Sequence, residues 1–230
     1  MHKVSNPSIL YFGTPVVLIS TRNGDDTFNV APISSIFWLG YRCVIGISAQ
    51  SKTTENILRS KECVLNLPSV EEAKFVNRLA LTTGSDPVPQ GKLLKGYRHV
   101  RDKFTHSGLT PQESDVISAP RVNECPVQME AAFVGMHPIG AENGFQEVRI
   151  VTIELKILRV HLEQSILMKD NPNRVDPDKW RPLIMSFQEF YGIGNKVHAS
   201  ALAGVPETLY RTRDTEVMTE PLQAVTFNSL

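Results

Sequence analysis

Between Ser48 and Ile57 the chain reads SAQSKTTENI, which is four hydroxyl side chains, a lysine and an asparagine in ten residues. The apolar run CVIGI precedes it and the helix-like ENILRS follows, with no Gly or Pro to make it a simple turn. If Ser51–Thr54 form the first turn of a helix ending near Ser60, their backbone N–H groups have no carbonyl partner inside that helix. Those donors, with the positive end of the helix dipole, favour an anion. Ser48, Ser51, Thr53 and Thr54 add hydroxyls and Lys52 adds a full charge, a set suited to the oxygens of a terminal phosphate. A serine or threonine that merely caps its own helix is the plainer reading of such a segment. One cap, however, uses one side chain, and here there are several.

A second polar group, FNVAPISSIF, places Asn29, Ser34 and Ser35 on a strand interrupted by Pro32. Taken alone it is a bulged strand with its hydroxyls in water. Beside the strand that leads into the phosphate turn, it can line a slot whose backbone edge proline leaves unpaired, and a flat heteroaromatic ring fits such a slot. Phosphate at one end and a ring at the other describe a mononucleotide-like cofactor. Other chemistries find no support. There is no GxxxxGK[ST] loop, no GxGxxG after a strand, no GxSxG and no HExxH. The six histidines are scattered, so neither a metal nor a serine-type triad is expected.

The elements that must position these residues are mostly strands. PVVLIST (Pro15 to Thr21) is followed by an Asn-Gly hairpin turn at Asn23–Asp26 and a return strand, TFNVAPISSIFW, in which Pro32 demands a bulge or an edge position. CVIGIS and ECVLNLP are further strands, and Ser69 with Glu72 forms a capping box for the helix VEEAKFVNRLAL. Residues 82–103, rich in Gly, Pro, Lys and Arg, form a long surface excursion. In EVRIVTIELKILRVHLE the inward set Val151, Ile153, Leu155, Ile157 changes phase at Leu158, predicting a bulge there. The fold expected is mostly β with some helices, a mainly antiparallel barrel, with one domain over residues 1–230 and a weakly patterned tail at 204–230.

Formal net charge is zero and no block of like charge occurs, which argues against nucleic acid or an anionic membrane surface as partner. No stretch approaches the roughly 20 apolar residues of a membrane span. Cys43, Cys63 and Cys125 form no CxxC and lie far apart, consistent with buried thiols and a cytoplasmic location.

PVVLIST, NVAPISS, SKTTENI and VLNLP occur in the order seen in the flavin reductase-like, flavoredoxin-type FMN-binding split barrels, which this chain resembles from about Ile9 to Asn195. KFTHSGLTPQES, PRVNECPVQMEA, RVHLEQSIL and WRPLIMSFQEFYGIG are similar to that family's later segments. The resemblance implies a homodimer with FMN (FAD being an alternative) near the subunit interface. Ser51, Lys52, Thr53 and Thr54 would hold the phosphate, with Asn56 supporting the turn. Asn29, Val30, Ala31, Ser34 and Ser35 would border the isoalloxazine, and Ser48 would sit between. Phe104 and Tyr191 would close over the ring, or else belong to the core. It further implies an NAD(P)H-dependent oxidoreductase passing hydride to flavin N5 and electrons to free flavin or another small-molecule acceptor. Two departures weaken the nicotinamide part. ENGFQEVRI lacks the Gly-Asp-His triplet of many such reductases, and Gly40-Tyr41-Arg42 replaces a Pro-Pro pair. A non-catalytic FMN electron carrier and a flavin-free barrel are the alternatives.

Overall fold

The computed structural model describes residues 1–140 and 149–216. Its centre is one seven-stranded antiparallel sheet. After β1 (Phe12–Pro15), the strands β2 (Val17–Arg22), β3 (Phe28–Ile33), β4 (Ile36–Leu39), β5 (Arg42–Ser48) and β6 (Glu62–Leu67) follow in close succession. Four two-residue strands come next: β7 (Thr82–Thr83), β8 (Arg98–His99), β9 (Pro111–Gln112) and β10 (Arg121–Val122). The long β11 (Val127–Ile139) and β12 (Ile150–Leu162) then complete the central sheet, whose order is β3-β2-β6-β11-β12-β5-β4.

Chain connectivity dictates its curvature. β3 and β4 are the two edges of this sheet, yet only Ser34 and Ser35 separate them. In a flat sheet six strand spacings would put the edges about 29 Å apart, whereas Ile33 to Ile36 can span at most about 11 Å. The sheet must therefore curl until its edges meet, which is a barrel split at the Ser34–Ser35 join. Gly46 N–H donates to the Ser35 carbonyl at 2.7 Å, continuing the β4–β5 ladder by one rung up to that join.

Side-chain alternation explains the unbroken apolar run in β2. Val17 and Ile19 point into the barrel with Ile45, Leu65, Ile153 and Leu155, whereas Val16 and Leu18 pack outward against Val76, Leu79 and Phe104. That outer cover consists of α2 (Ala73–Arg78), α4 (Lys103–Ser107) and an outer sheet of β1 with β15 (Leu183–Ser186) and β16 (Glu189–Gly192). The predicted capping box is present: Ser69 N–H donates to Glu72 Oε2 at 2.7 Å, while Ser69 Oγ accepts from Glu71 N–H.

The strand register confirms the phase change in β12. Ala131 pairs with Ile157 and Glu130 with Arg159, so Leu158 is the extra residue. Pro32, by contrast, causes no bulge. Asn23 N–H donates to the Thr27 carbonyl at the hairpin mouth, and alternation from there puts Pro32 at a position whose nitrogen faces off the sheet edge. The cysteines are all buried and unlinked, and burial pushes the Cys43 thiol up to about 12.

The excursion contains α3 (Gln90–Leu93) between the parallel pair β7 and β8. Beyond the barrel, β13 (Leu167–Met168) and β14 (Asn171–Val175) form a small hairpin. In the tail, α5 (Arg213–Glu216) is tied back by Asp214, which pairs with Arg42 at 2.8 Å and Lys156 at 3.1 Å. Most of ENGFQEVRI lies outside the described residues, as does the rest of the tail. Among the described residues no helix is long and apolar enough to cross a membrane.

Candidate functional site

β5 runs directly into α1 (Lys52–Ser60), whose N-cap is Ser51 in extended conformation. Ser51 Oγ accepts from Thr54 N–H at 3.0 Å and lies 2.9 Å from Thr54 Oγ1, which donates to the Ser48 carbonyl at 2.8 Å. Two of the hydroxyls expected on a phosphate are thus committed to closing the turn itself. The amides of Lys52 and Thr53 retain no hydrogen-bond partner among the described residues. Lys52 Nζ meets Glu55 Oε1 at 2.8 Å, and its side chain is partly exposed. Asn56 donates to Thr21 Oγ1 at 2.9 Å and Asn23 Oδ1 at 2.8 Å, so it staples α1 to β2 and the hairpin turn.

The two polar groups of the sequence meet at Asn29 and Thr53. Asn29 Nδ2 donates to Thr53 Oγ1 at 3.2 Å, joining the sheet edge to the first turn of α1, while Asn29 Oδ1 is buried without a partner. Val30 is fully buried, so only its backbone, on the free edge of β3, is available to a ligand. Ala31 and Ser34 are half-buried, and Ser35 and Ser48 are exposed.

The two aromatic positions fall elsewhere. Phe104 is 3% exposed and packs edge-on to Phe28, 6.4 Å between centroids, because the apolar face of α4 covers the outside of the barrel. It is a core residue, the second of the two roles the sequence left open for it. Tyr191 stands exposed on β16, in a different sheet from β3.

Thr83, Gly84, Lys92 and Lys103 were not legible as site residues. Gly84 lies against both β3 and α1; a Cβ there would meet Asn29 Oδ1 at 2.6 Å and Lys52 Cγ at 3.1 Å. Thr83 Oγ1 accepts from Lys92 Nζ at 3.1 Å. Lys103 is 2% exposed and has no hydrogen-bond or ion-pair partner among the described residues. Burial, with help from the Lys92 ammonium, pulls its amine down to about 7. A buried cation without a counter-ion is costly, and a ligand anion would relieve it. The only available signal was the lysine count of a segment that has no hydrophobic period.

Asp115, Glu130 and His161 approach within 4.8 Å of one another. Their acceptors are already used. Glu130 takes the amides of Asp115 at 2.9 Å and Val116 at 2.8 Å and His161 Nε2 at 2.7 Å. Arg159 lies 2.8 Å from Asp115 and holds its carboxyl below the usual range. A guanidinium and occupied oxygens make this a loop tether and a poor cation site.

A curled antiparallel sheet split beside a helix N-terminus, with an orphaned amide oxygen and a buried partnerless lysine nearby, defines a split-barrel binding domain. The profile of the flavin reductase like domain matches residues 9–190, and the chain belongs to that family. The uncharacterised YdfE of Bacillus subtilis (strain 168) is 34% identical over 195 residues, covering 85% of this chain and 91% of YdfE. Flavoredoxin of Desulfovibrio vulgaris (Miyazaki F) superposes with a TM-score of 0.70 at 20% identity, covering 89% of this chain and all of that one. The FMN-binding domain of a flavin reductases-like enzyme from Shewanella baltica OS155 superposes at 0.61 with 18% identity, covering 81% and 90% respectively.

Lys52→Ala is expected to weaken flavin phosphate binding by roughly 1.5–3 kcal/mol, the range for a charge-assisted hydrogen bond. Equilibrium dialysis with FMN checks this, and an unchanged Kd would displace the phosphate from α1.

Proposed function

We propose that this protein is a single-domain FMN-dependent oxidoreductase. The observation that carries the reading is the start of α1, where the amides of Lys52 and Thr53 have no partner among the described residues and the Lys52 side chain adds a charge, a set that suits an anion. Phosphate would be held by the first-turn amides of Lys52 and Thr53 with Lys52, Lys92 and Lys103 around it. Asn29 Oδ1, an acceptor left buried and unpaired at that corner, suits a donor group of the nucleotide, such as a ribityl hydroxyl or a ring N–H, and not the phosphate. The isoalloxazine would lie along the free backbone edge of β3, from Asn29 to Ala31, and reach Ser34 and Ser35.

FMN, when bound, would supply two-electron hydride chemistry, with NAD(P)H as donor and free flavin or another small molecule as acceptor. The chain's own task is to bind, orient and shield. No acid or base side chain is required for this chemistry. A cytoplasmic homodimer fits the reading, since Phe37 and Leu39 on the edge strand β4 are 53% and 71% exposed and offer an apolar face to a second copy.

The purified protein is expected to be yellow and to bleach rapidly when NADH or NADPH is added anaerobically. Missing Gly-Asp-His in ENGFQEVRI favours a second reading, an FMN electron carrier reduced by a protein partner. A yellow protein that neither nicotinamide bleaches would establish the carrier, and a colourless protein unaffected in Tm by excess FMN would remove both readings.

A further inference from the structure

The outer side of the excursion carries charge that the fold leaves unmatched. Residues 82–103 hold five cations against two carboxylates, in a chain whose formal net charge is zero. Asp102 is committed to capping α4, where it accepts from Thr105 N–H at 3.0 Å, and Arg101 is matched by Asp25 at 3.3 Å. Lys95 and Arg98 are exposed and meet no carboxylate among the described residues. Neither does Arg78, which α2 brings to the same place: its Nη1 donates to the Ser107 carbonyl at 3.2 Å, one residue from His106, whose Nε2 lies 3.5 Å from Arg98 Nη2. Arg22, Arg42, Arg159 and Arg174, by contrast, each face a carboxylate.

Apolar side chains lie among these charges. Leu81, Leu93 and Leu94 are 51%, 56% and 84% exposed. Single exposed leucines are ordinary, but Leu81 is held in the left-handed region at φ 55°. A branched side chain there is an outlier, and Gly or Asn is the usual residue so soon after a helix end. Arg98 N–H donates to the Leu81 carbonyl at 3.0 Å, while Gly96 N–H and Tyr97 N–H bond back to Leu93 and Lys92, so leucines and cations share one short stretch of surface. On its inner side the same excursion presses Gly84 against Asn29 and Lys52.

We propose that Leu81, Leu93 and Leu94, ringed by Arg78, Lys95 and Arg98, are the docking surface for a small acidic electron-transfer protein. This rests on the flavin reading above and adds to it the class of protein with which the bound nucleotide exchanges electrons. Cations without local partners steer an acidic surface into contact, and a small apolar centre that loses its water supplies the grip. A partner seated there is separated from the corner at Asn29 and Lys52 by the excursion alone. An anionic bilayer would also attract the cations, but these leucines sit on a turn and a one-turn helix, too short for the amphipathic helix that lies in a membrane interface.

The test is calorimetric titration of the FMN-saturated full chain with an oxidised, strongly acidic plant-type [2Fe–2S] ferredoxin. Basic cytochrome c and vesicles containing phosphatidylserine are the contrasting probes. The parent is expected to bind ferredoxin with a Kd of roughly micromolar size, weakening steeply as KCl rises from about 0.05 M to about 0.5 M, and to bind neither contrasting probe. Lys95→Glu combined with Arg98→Glu should weaken ferredoxin by about tenfold or more and leave FMN affinity unchanged. Leu81→Asn suits the left-handed backbone, so it should weaken ferredoxin about three- to tenfold while Tm holds or rises. Ferredoxin binding that is absent from the parent, untouched by both variants, or matched by cytochrome c or by the vesicles would overturn the docking surface and leave the flavin reading standing. A chain that takes up no FMN would overturn both.

Discussion

Lys103→Met, freed of flavin, is expected to be more stable than the parent at and below pH 7 and to retain FMN poorly. In the folded parent, burial and the nearby Lys92 lower the Lys103 amine from 10.5 to about 7. The unfolded chain therefore binds more protons than the native one between pH 7 and pH 10.5, and parent stability rises with pH across that window. Below pH 7 the full cost of burying the charge is felt, and above pH 10.5 it is gone. That cost is at most roughly 3–5 kcal/mol. Methionine fills similar space without a charge, so the variant's stability should lack this rise, which urea denaturation at pH 6, 8 and 10 reads directly. FMN should reverse the order at neutral pH, because it stabilises only the form that can pair with it. Parallel pH curves for the two proteins would mean that Lys103 is not buried as a charge. A rise seen in the parent alone would make Lys103 a residue whose native cost is offset by ligand.

Glu130→Ala is expected to destabilise the fold by about 3–5 kcal/mol, the range for breaking a buried ionic network. Glu130 is fully buried near the start of β11 and accepts from two successive loop amides, Asp115 and Val116, as well as from His161 Nε2. Alanine removes all three bonds, leaves a cavity, and frees the loop between β9 and β10. Tm should fall by roughly 10 °C for a chain of this size, with amide exchange accelerating first at Asp115 and Val116. Glu130→Gln keeps the shape and one acceptor oxygen, so it should recover part of the loss. If alanine costs less than about 1 kcal/mol, the scale of an ordinary hydrogen bond, the network is not holding the loop.

Much of the fold was legible because it rests on local patterns. The β-branched composition of PVVLIST, the Asn-Gly hairpin, the capping box at Ser69 and the phase change at Leu158 each act within a few residues. Ser51 and Thr54 were ambiguous for a physical reason: a hydroxyl can serve its own turn or a ligand, and composition does not say which. The geometry assigns both to the turn. Phe104 was left between ring and core because an aromatic after a long loop looks the same whether it faces a ligand or a neighbouring element; the structure puts it in the core. The lysines of the excursion were invisible for a different reason. Lys92 and Lys103 are eleven positions apart, and the inward turn of the one and the burial of the other depend on the parallel pairing of β7 with β8 that folds the segment back.

The extra residue at Leu158 has a consequence for the shape of the barrel. Removing it would leave Ile157, Val160 and Leu162 all facing inward, now in uninterrupted alternation, and Glu130 would still stand opposite Arg159. The insertion therefore does not decide which residues are wet and which are dry. It contributes curvature: a ribbon thirteen residues long is made to arch where a regular one would run straight, and the closing of the sheet upon itself depends on that arch.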